Sequence, residues 1–199
     1  MSKLLKVTGI VGIIAPFFVF ACITGAITSW PSFNWFSNAL SDLGVRWGLT
    51  ATLFNVGLVS GGFMFIVFSA GLLSLLGGSW LGKVGVGLFL VACIALVGIG
   101  VFNETFSPTH YIVSVTFFVF MPISLLVLVG ALLLKDKRNL SLLTLALGVV
   151  AAAPWVLEFS VHYVSGVAIP EFVSGLAGAV WTVVLGYVML EEPEEAATS

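Results

Sequence analysis

Residues 84–102 read VGVGLFLVACIALVGIGVF, an apolar run without one charged, amide or hydroxyl side chain. Wound as a helix at ~1.5 Å per residue, it matches the roughly 30 Å hydrocarbon core of a bilayer. It has neither the alternation of a half-buried strand nor the polar stripe of a surface helix. The run therefore reads as a membrane-spanning helix, and the rest of the chain is ordered around it.

Comparable runs cover 7–28, 49–76, 111–134, 140–161 and 172–190. Between them lie breaks rich in Gly, Pro, Asn or charge, at 77–80, 103–110, 135–139 and 162–171. Continuous helices satisfy their backbone polar groups internally, as hydrocarbon demands. The expected fold is all-α: a polytopic membrane protein with six transmembrane helices in one bundle. Residues 1–190 form a single transmembrane domain, followed by an acidic cytoplasmic tail at 191–199. Of 199 residues only 7 are Lys or Arg and 9 are Asp or Glu, while 60% are hydrophobic, so a soluble fold would lack polar surface. No basic run suggests nucleic acid as a partner. The bilayer is the partner that composition implies.

Cys22 and Cys93 both fall inside apolar runs, where a thiol behaves as a small hydrophobe, so two free cysteines are expected. Lys3 and Lys6 before an apolar run resemble a secretory signal. The run over 7–28 is long enough to span, and Phe20 is bulky where a lipoprotein cleavage box needs a small residue, so an uncleaved first helix is expected. Lys3, Lys6, Lys83, Lys135, Lys137 and Arg138 fall on the side of the termini and only Arg46 on the other. The positive-inside rule then makes both termini cytoplasmic in the cell membrane. Gly57 with Gly61, Gly148 with Ala152, and Ser174 with Gly178 have the spacing of close helix packing. Pro16, Pro122 and Pro154 sit inside spans.

This orientation gathers Asp42, Arg46, Glu104, His110, Glu158, His162 and Glu171 in or near the outer connections. In the first of these, Phe33, Phe36, Leu40 and Leu43 recur at helical spacing with Asn34, Asn38, Ser41 and Asp42 opposite them, which predicts a short interfacial helix. Pro31 suits its first turn and Gly44 the residue beyond its end. Trp30, Trp35 and Trp47 stand where interfacial aromatics belong. A carboxylate in the last helical turn meets the negative end of the dipole. Asp42 therefore either pairs with Arg46 or points into the bundle toward a ligand or metal.

Ser107 or Thr109 can cap the fourth helix, with His110 on its first turn and Ser114 one turn below. Trp155, Glu158 and His162 share one face of the fifth span. Glu158, about one turn inside the helix end, is costly in lipid and a candidate functional residue unless it pairs with His162. Glu171 after Pro170 suits the start of the sixth helix, where the dipole favours negative charge.

The stretch NALSDLG at 38–44, Gly100 to Glu104 with His110 opening the next helix, and Pro170-Glu171 entering the last carry a resemblance. Over nearly its whole length the chain resembles a family of uncharacterised six-helix membrane proteins of archaea and bacteria, defined by a domain of unknown function. More remotely, the acidic-glycine motif and the fourth-helix histidine are similar to the autophagy-modulator group. The resemblance implies the six-helix topology and no reaction. The family pattern has Pro before the acid of the third-helix motif, where this chain has Asn103 before Glu104.

The residues point first to an outer polar site for a lipid headgroup or small molecule, formed by Asn38, Asp42, Glu104, His110, Glu158 and His162. A metal-dependent intramembrane hydrolase is an alternative, with His110, His162 and Glu158 as candidate ligands, although no His-Glu-x-x-His motif is present. An accessory subunit of a larger membrane complex is another, and a haem between His110 and His162 a variant of it. No cofactor is firmly implied. No acidic, basic or histidine side chain lies near mid-span, where transport sites usually sit.

Overall fold

A computed structural model describes residues 3–192. It contains six helices: α1 (Lys3–Thr28), α2 (Leu49–Leu76), α3 (Trp80–Val101), α4 (Thr109–Leu133), α5 (Arg138–Val161) and α6 (Ala168–Glu191). Their 22 to 28 residues correspond to about 33–42 Å, enough to cross a bilayer with some tilt. Two short 3-10 turns, Ser41–Val45 and Glu104–Phe106, lie in the first and third connections. No strand occurs among the described residues. Residues 193–199 of the acidic tail lie outside the described part of the chain.

Each helix packs on the next, and α1 closes on α6 to complete a ring. The closure depends on two glycines that meet face to face. A Cβ on Gly9 would lie 2.7 Å from the Gly186 carbonyl oxygen, and one on Gly186 would lie 2.7 Å from that of Gly9. Gly57 and Gly61 let α2 approach Cys22 and Val19 of α1 in the same way, as their spacing predicts. Phe17, Phe63, Ile94, Tyr111, Val149 and Phe159 are exposed on the outside of the ring. Apolar residues over the outer faces of six long helices suit lipid as solvent and no other environment. The chain is a multi-pass membrane protein.

Toward the end that carries the chain termini, Trp181 is fully buried against Phe68 and Phe89, and its Nε1 donates to Thr144 Oγ1 at 3.1 Å. Lys137 and Glu192 form an ion pair at 2.8 Å at the same end. At the other end, Ile23, Leu43, Phe54, Leu58, Leu96 and Ile99 form a second core beneath the first, third and fifth connections.

The first connection departs from the expected interfacial helix. Asn34 Oδ1 accepts from Phe36 N at 2.8 Å and Asn38 Oδ1 accepts from Asn34 N at 2.9 Å, so the two asparagines fold the segment into turns. Only Ser41–Val45 winds further, as a 3-10 turn. Leu40 and Leu43 still face the core, while Phe36 is exposed. Both cysteines are free.

Candidate functional site

Residues 38–42 stand at the centre of the end opposite the termini, and three carboxylates converge on them. Asp42 Oδ2 accepts from Asn38 Nδ2 at 2.6 Å and from Ala39 N at 3.1 Å. Glu104 Oε1, brought in by the 3-10 turn after α3, accepts from Ser41 Oγ at 2.7 Å. Glu171 Oε2, from the first turn of α6, accepts from Leu40 N at 2.5 Å. Glu171 is buried, and Asp42 and Glu104 both lie close enough to act on it electrostatically. Its carboxylate does not cap α6 through its own side chain, as position alone suggests, but joins α6 to the first connection.

The same segment clasps the start of α6 through backbone bonds. Ser165 N and Gly166 N donate to Phe36 O at 3.0 and 2.8 Å, and Val167 N and Ala168 N donate to Asn38 O at 3.1 and 2.9 Å. The Val167 and Ala168 N–H groups, at the N-cap and first residue of α6, would otherwise be orphans of the helix start. The approach requires glycine at 166, because a Cβ there would lie 2.6 Å from Asn38 N. Beneath the segment, the Gly44 carbonyl accepts from Asn55 Nδ2 at 2.9 Å and Asn103 Nδ2 at 3.4 Å. Asn103 Oδ1 also takes Thr105 N at 3.1 Å and Thr105 Oγ1 at 2.6 Å. Asn103 thus builds by side-chain bonds the turn that aims Glu104.

The expected Asp42 to Arg46 pair is not formed. Arg46 lies over the Trp30 ring with its guanidinium carbon 3.7 Å from the centroid, and Asp42 is held by its amide partners. Neither Ser107 nor Thr109 caps α4, whose N-cap position is Pro108. His110 Nδ1 is 2.7 Å from Phe102 O, which assigns the ring proton to Nδ1, and Nε2 is 3.3 Å from Ser114 Oγ. Both ring nitrogens therefore have protein partners.

Glu158 and His162 stand apart from this cluster. His162 is exposed and ends α5 in the left-handed conformation, its N–H donating to Glu158 O at 2.9 Å. Glu158 is 7% exposed, its Oε2 has no hydrogen-bond partner, and no side-chain bond joins it to His162. Burial and then the charge of Glu158 push the nearby Tyr163 phenol above its ordinary pKa. Among the described residues no three His, Cys, Asp or Glu side chains converge as metal ligands, so His110, His162 and Glu158 do not form the ligand set that their types suggested.

Below residues 40–41 the ring is not filled. A cavity of about 100 Å³ lies inside the bundle. Its walls are apolar, among them Ile23, Phe54, Phe89, Leu96, Phe117 and Phe172. Ser41, Glu171 and Ser114 are the polar groups at its upper end, and Thr182, lower down, is spent on the carbonyl of Ala179. Neither the cavity nor the roles of Ser41, Asn55, Gly166 and Glu171 have a motif in the sequence; the acid after Pro170 was the one available signal.

Comparison with curated proteins and with solved structures finds no match. A family model described as a protein of unknown function (DUF998) matches residues 13–188, which take in all of the convergent carboxylates and most of each terminal helix. The chain, with its six membrane-spanning helices, belongs to this DUF998 family of proteins of unknown function.

Proposed function

We propose that this protein binds a membrane amphiphile, whose apolar chain occupies the cavity and whose polar head lies under the first connection, on the outer side of the cell membrane. The carrying observation is the apolar space beneath residues 40–41. Protein interiors are close-packed, and a continuous apolar cavity of about 100 Å³, several times the ~10–15 Å³ that one water needs, is larger than a packing defect. Water would find few partners on its walls, since Thr182 is already bonded within α6 and Ser114 lies against His110. An apolar chain suits such walls.

The upper end constrains the head. Asp42, Glu104 and Glu171 supply carboxylates that accept, already from Asn38, Ser41 and Leu40 among others, and the one cation of the first connection, Arg46, is held on Trp30. A head that donates hydrogen bonds fits this surface better than an anionic one. The outer assignment rests on the distribution of Lys and Arg toward the termini.

The test is mass spectrometry of amphiphile retained by protein purified in mild detergent. At Gly175, on the cavity wall, a Cβ would meet only the Phe20 ring at 3.8 Å and no backbone, so Gly175→Leu starts a side chain there that adds volume to the wall. Retained amphiphile should fall by about 10-fold or more while the melting temperature holds or rises, since loss of one buried chain exceeds ~1.4 kcal/mol. Wild-type protein without retained amphiphile, or equal retention by the variant, would reject the proposal.

A further inference from the structure

A second polar site lies on α5, and neither of its two principal residues lines the cavity. The buried stripe Ser141, Thr144, Gly148, Ala151 and Glu158 runs along the inner face of α5. Ser141 Oγ donates to Val129 O of α4 at 3.1 Å, and Ala151 O accepts from Ser174 of α6, so the stripe lies between these two helices. Trp155 falls on the same stripe, four residues after Ala151 and three before Glu158. The Phe118 ring of α4 covers the indole at 4.7 Å.

Two buried polar atoms on this face have no partner: the indole Nε1 of Trp155, which can only donate, and Oε2 of Glu158, an acceptor. Each costs free energy if it stays unpaired in a protein interior. They are complementary in kind, yet they do not bond each other. One group bridging the two would accept from the indole and donate to the carboxylate. An ammonium has no lone pair for the indole. An ester or phosphodiester has no proton for the carboxylate. An uncharged hydroxyl does both through one oxygen.

We propose that Trp155 Nε1 and Glu158 Oε2 form a binding site for the hydroxyl of an uncharged glycerolipid head, one turn inside the end of α5 opposite the chain termini. One helical turn is ~5.4 Å, so Glu158 lies below the helix terminus, which suits a glycerol hydroxyl better than an outermost charged group. This site stands independently of what occupies the cavity.

The experiment uses the full chain in nanodiscs of dioleoylphosphatidylcholine, whose head has no hydrogen-bond donor. Binding of monooleoylglycerol, methyl oleate and oleylamine, which share one chain length, is measured by native mass spectrometry. Wild type should favour monooleoylglycerol over the other two by about 10-fold, the worth of one to two hydrogen bonds. Trp155→Phe and Glu158→Leu should each remove that preference, whereas Glu158→Gln, which keeps a carbonyl acceptor, should hold it within about 3-fold. A wild type without preference for the hydroxyl probe overturns the proposal. So does a preference that survives both Trp155→Phe and Glu158→Leu, or a fall in all three probes alike, which would mark a structural role only.

Discussion

Gly166→Ala tests whether the first connection is held by its clasp on α6. The added Cβ would lie 2.5 Å from Ser37 C and 2.6 Å from Asn38 N, with the Asn38 carbonyl oxygen also in contact. All three are backbone atoms, so no rotamer change relieves them. Overpacking of this kind costs ~1–3 kcal/mol. The displacement also strains four backbone bonds and that of Ser165 Oγ to Phe36 O at 2.9 Å. Loss of even one adds about 1 kcal/mol, for a total near 3 kcal/mol. The helices retain their own packing, so the cost should appear as local opening. Hydrogen exchange in nanodiscs should accelerate about 100-fold at the amides of 165–168 and at Leu40, whose N–H donates to Glu171. Amides in the middle of α3 should be unchanged. Gly87→Ala is the control, because a Cβ there meets nothing within 4 Å, and added helix propensity should leave stability equal or higher. Exchange at Leu40 and 165–168 within about 3-fold of wild type in Gly166→Ala would refute the clasp, since that is under 1 kcal/mol.

Two further substitutions probe the bundle and the turn that carries Glu104. Thr144→Val strands the fully buried Trp181 indole N–H and should cost ~1–3 kcal/mol in reversible unfolding, while Trp181→Phe, which removes donor and desolvation cost together, should cost less despite its smaller ring. Asn103→Ala loses the bonds to Thr105 and Gly44 and should loosen the Glu104 turn by about 1 kcal/mol, seen as faster exchange at Phe106 N, which donates to Asn103 O. Asn103→Pro should recover part of that loss, because residue 103 already has φ of −64°, the value proline imposes. Equal exchange in all three proteins would remove Asn103 from the account of how Glu104 is aimed.

The spans were legible because the solvent acts on each residue separately. Hydrocarbon excludes charge and unpaired backbone wherever they occur, so runs such as 49–76 coincide with α2 as observed, and the others lie within a few residues of their helices. Glycine pairs such as Gly57 and Gly61 also announced a close helix contact, since only the absence of a side chain permits one. The rotation of each helix about its axis was hidden. Lipid-facing and core-facing residues share one chemistry here, so the exposed Phe63 and the buried Phe68 of α2 look alike in sequence. For that reason Asp42 could be paired on paper with Arg46, the cation nearest in sequence. Tertiary structure instead gave Arg46 to Trp30, gathered Asp42, Glu104 and Glu171 around residues 38–42, and left Glu158 on another face. The first connection was misread as a helix because its apolar spacing is helical, whereas its asparagines find better partners in turns and its carbonyls are needed by α6. Sequence determined how many times the chain crosses the membrane and which ends meet. Only the packing of six helices into a ring decided which polar groups meet there and that a cavity lies beneath them, because both depend on contacts between residues far apart in the chain.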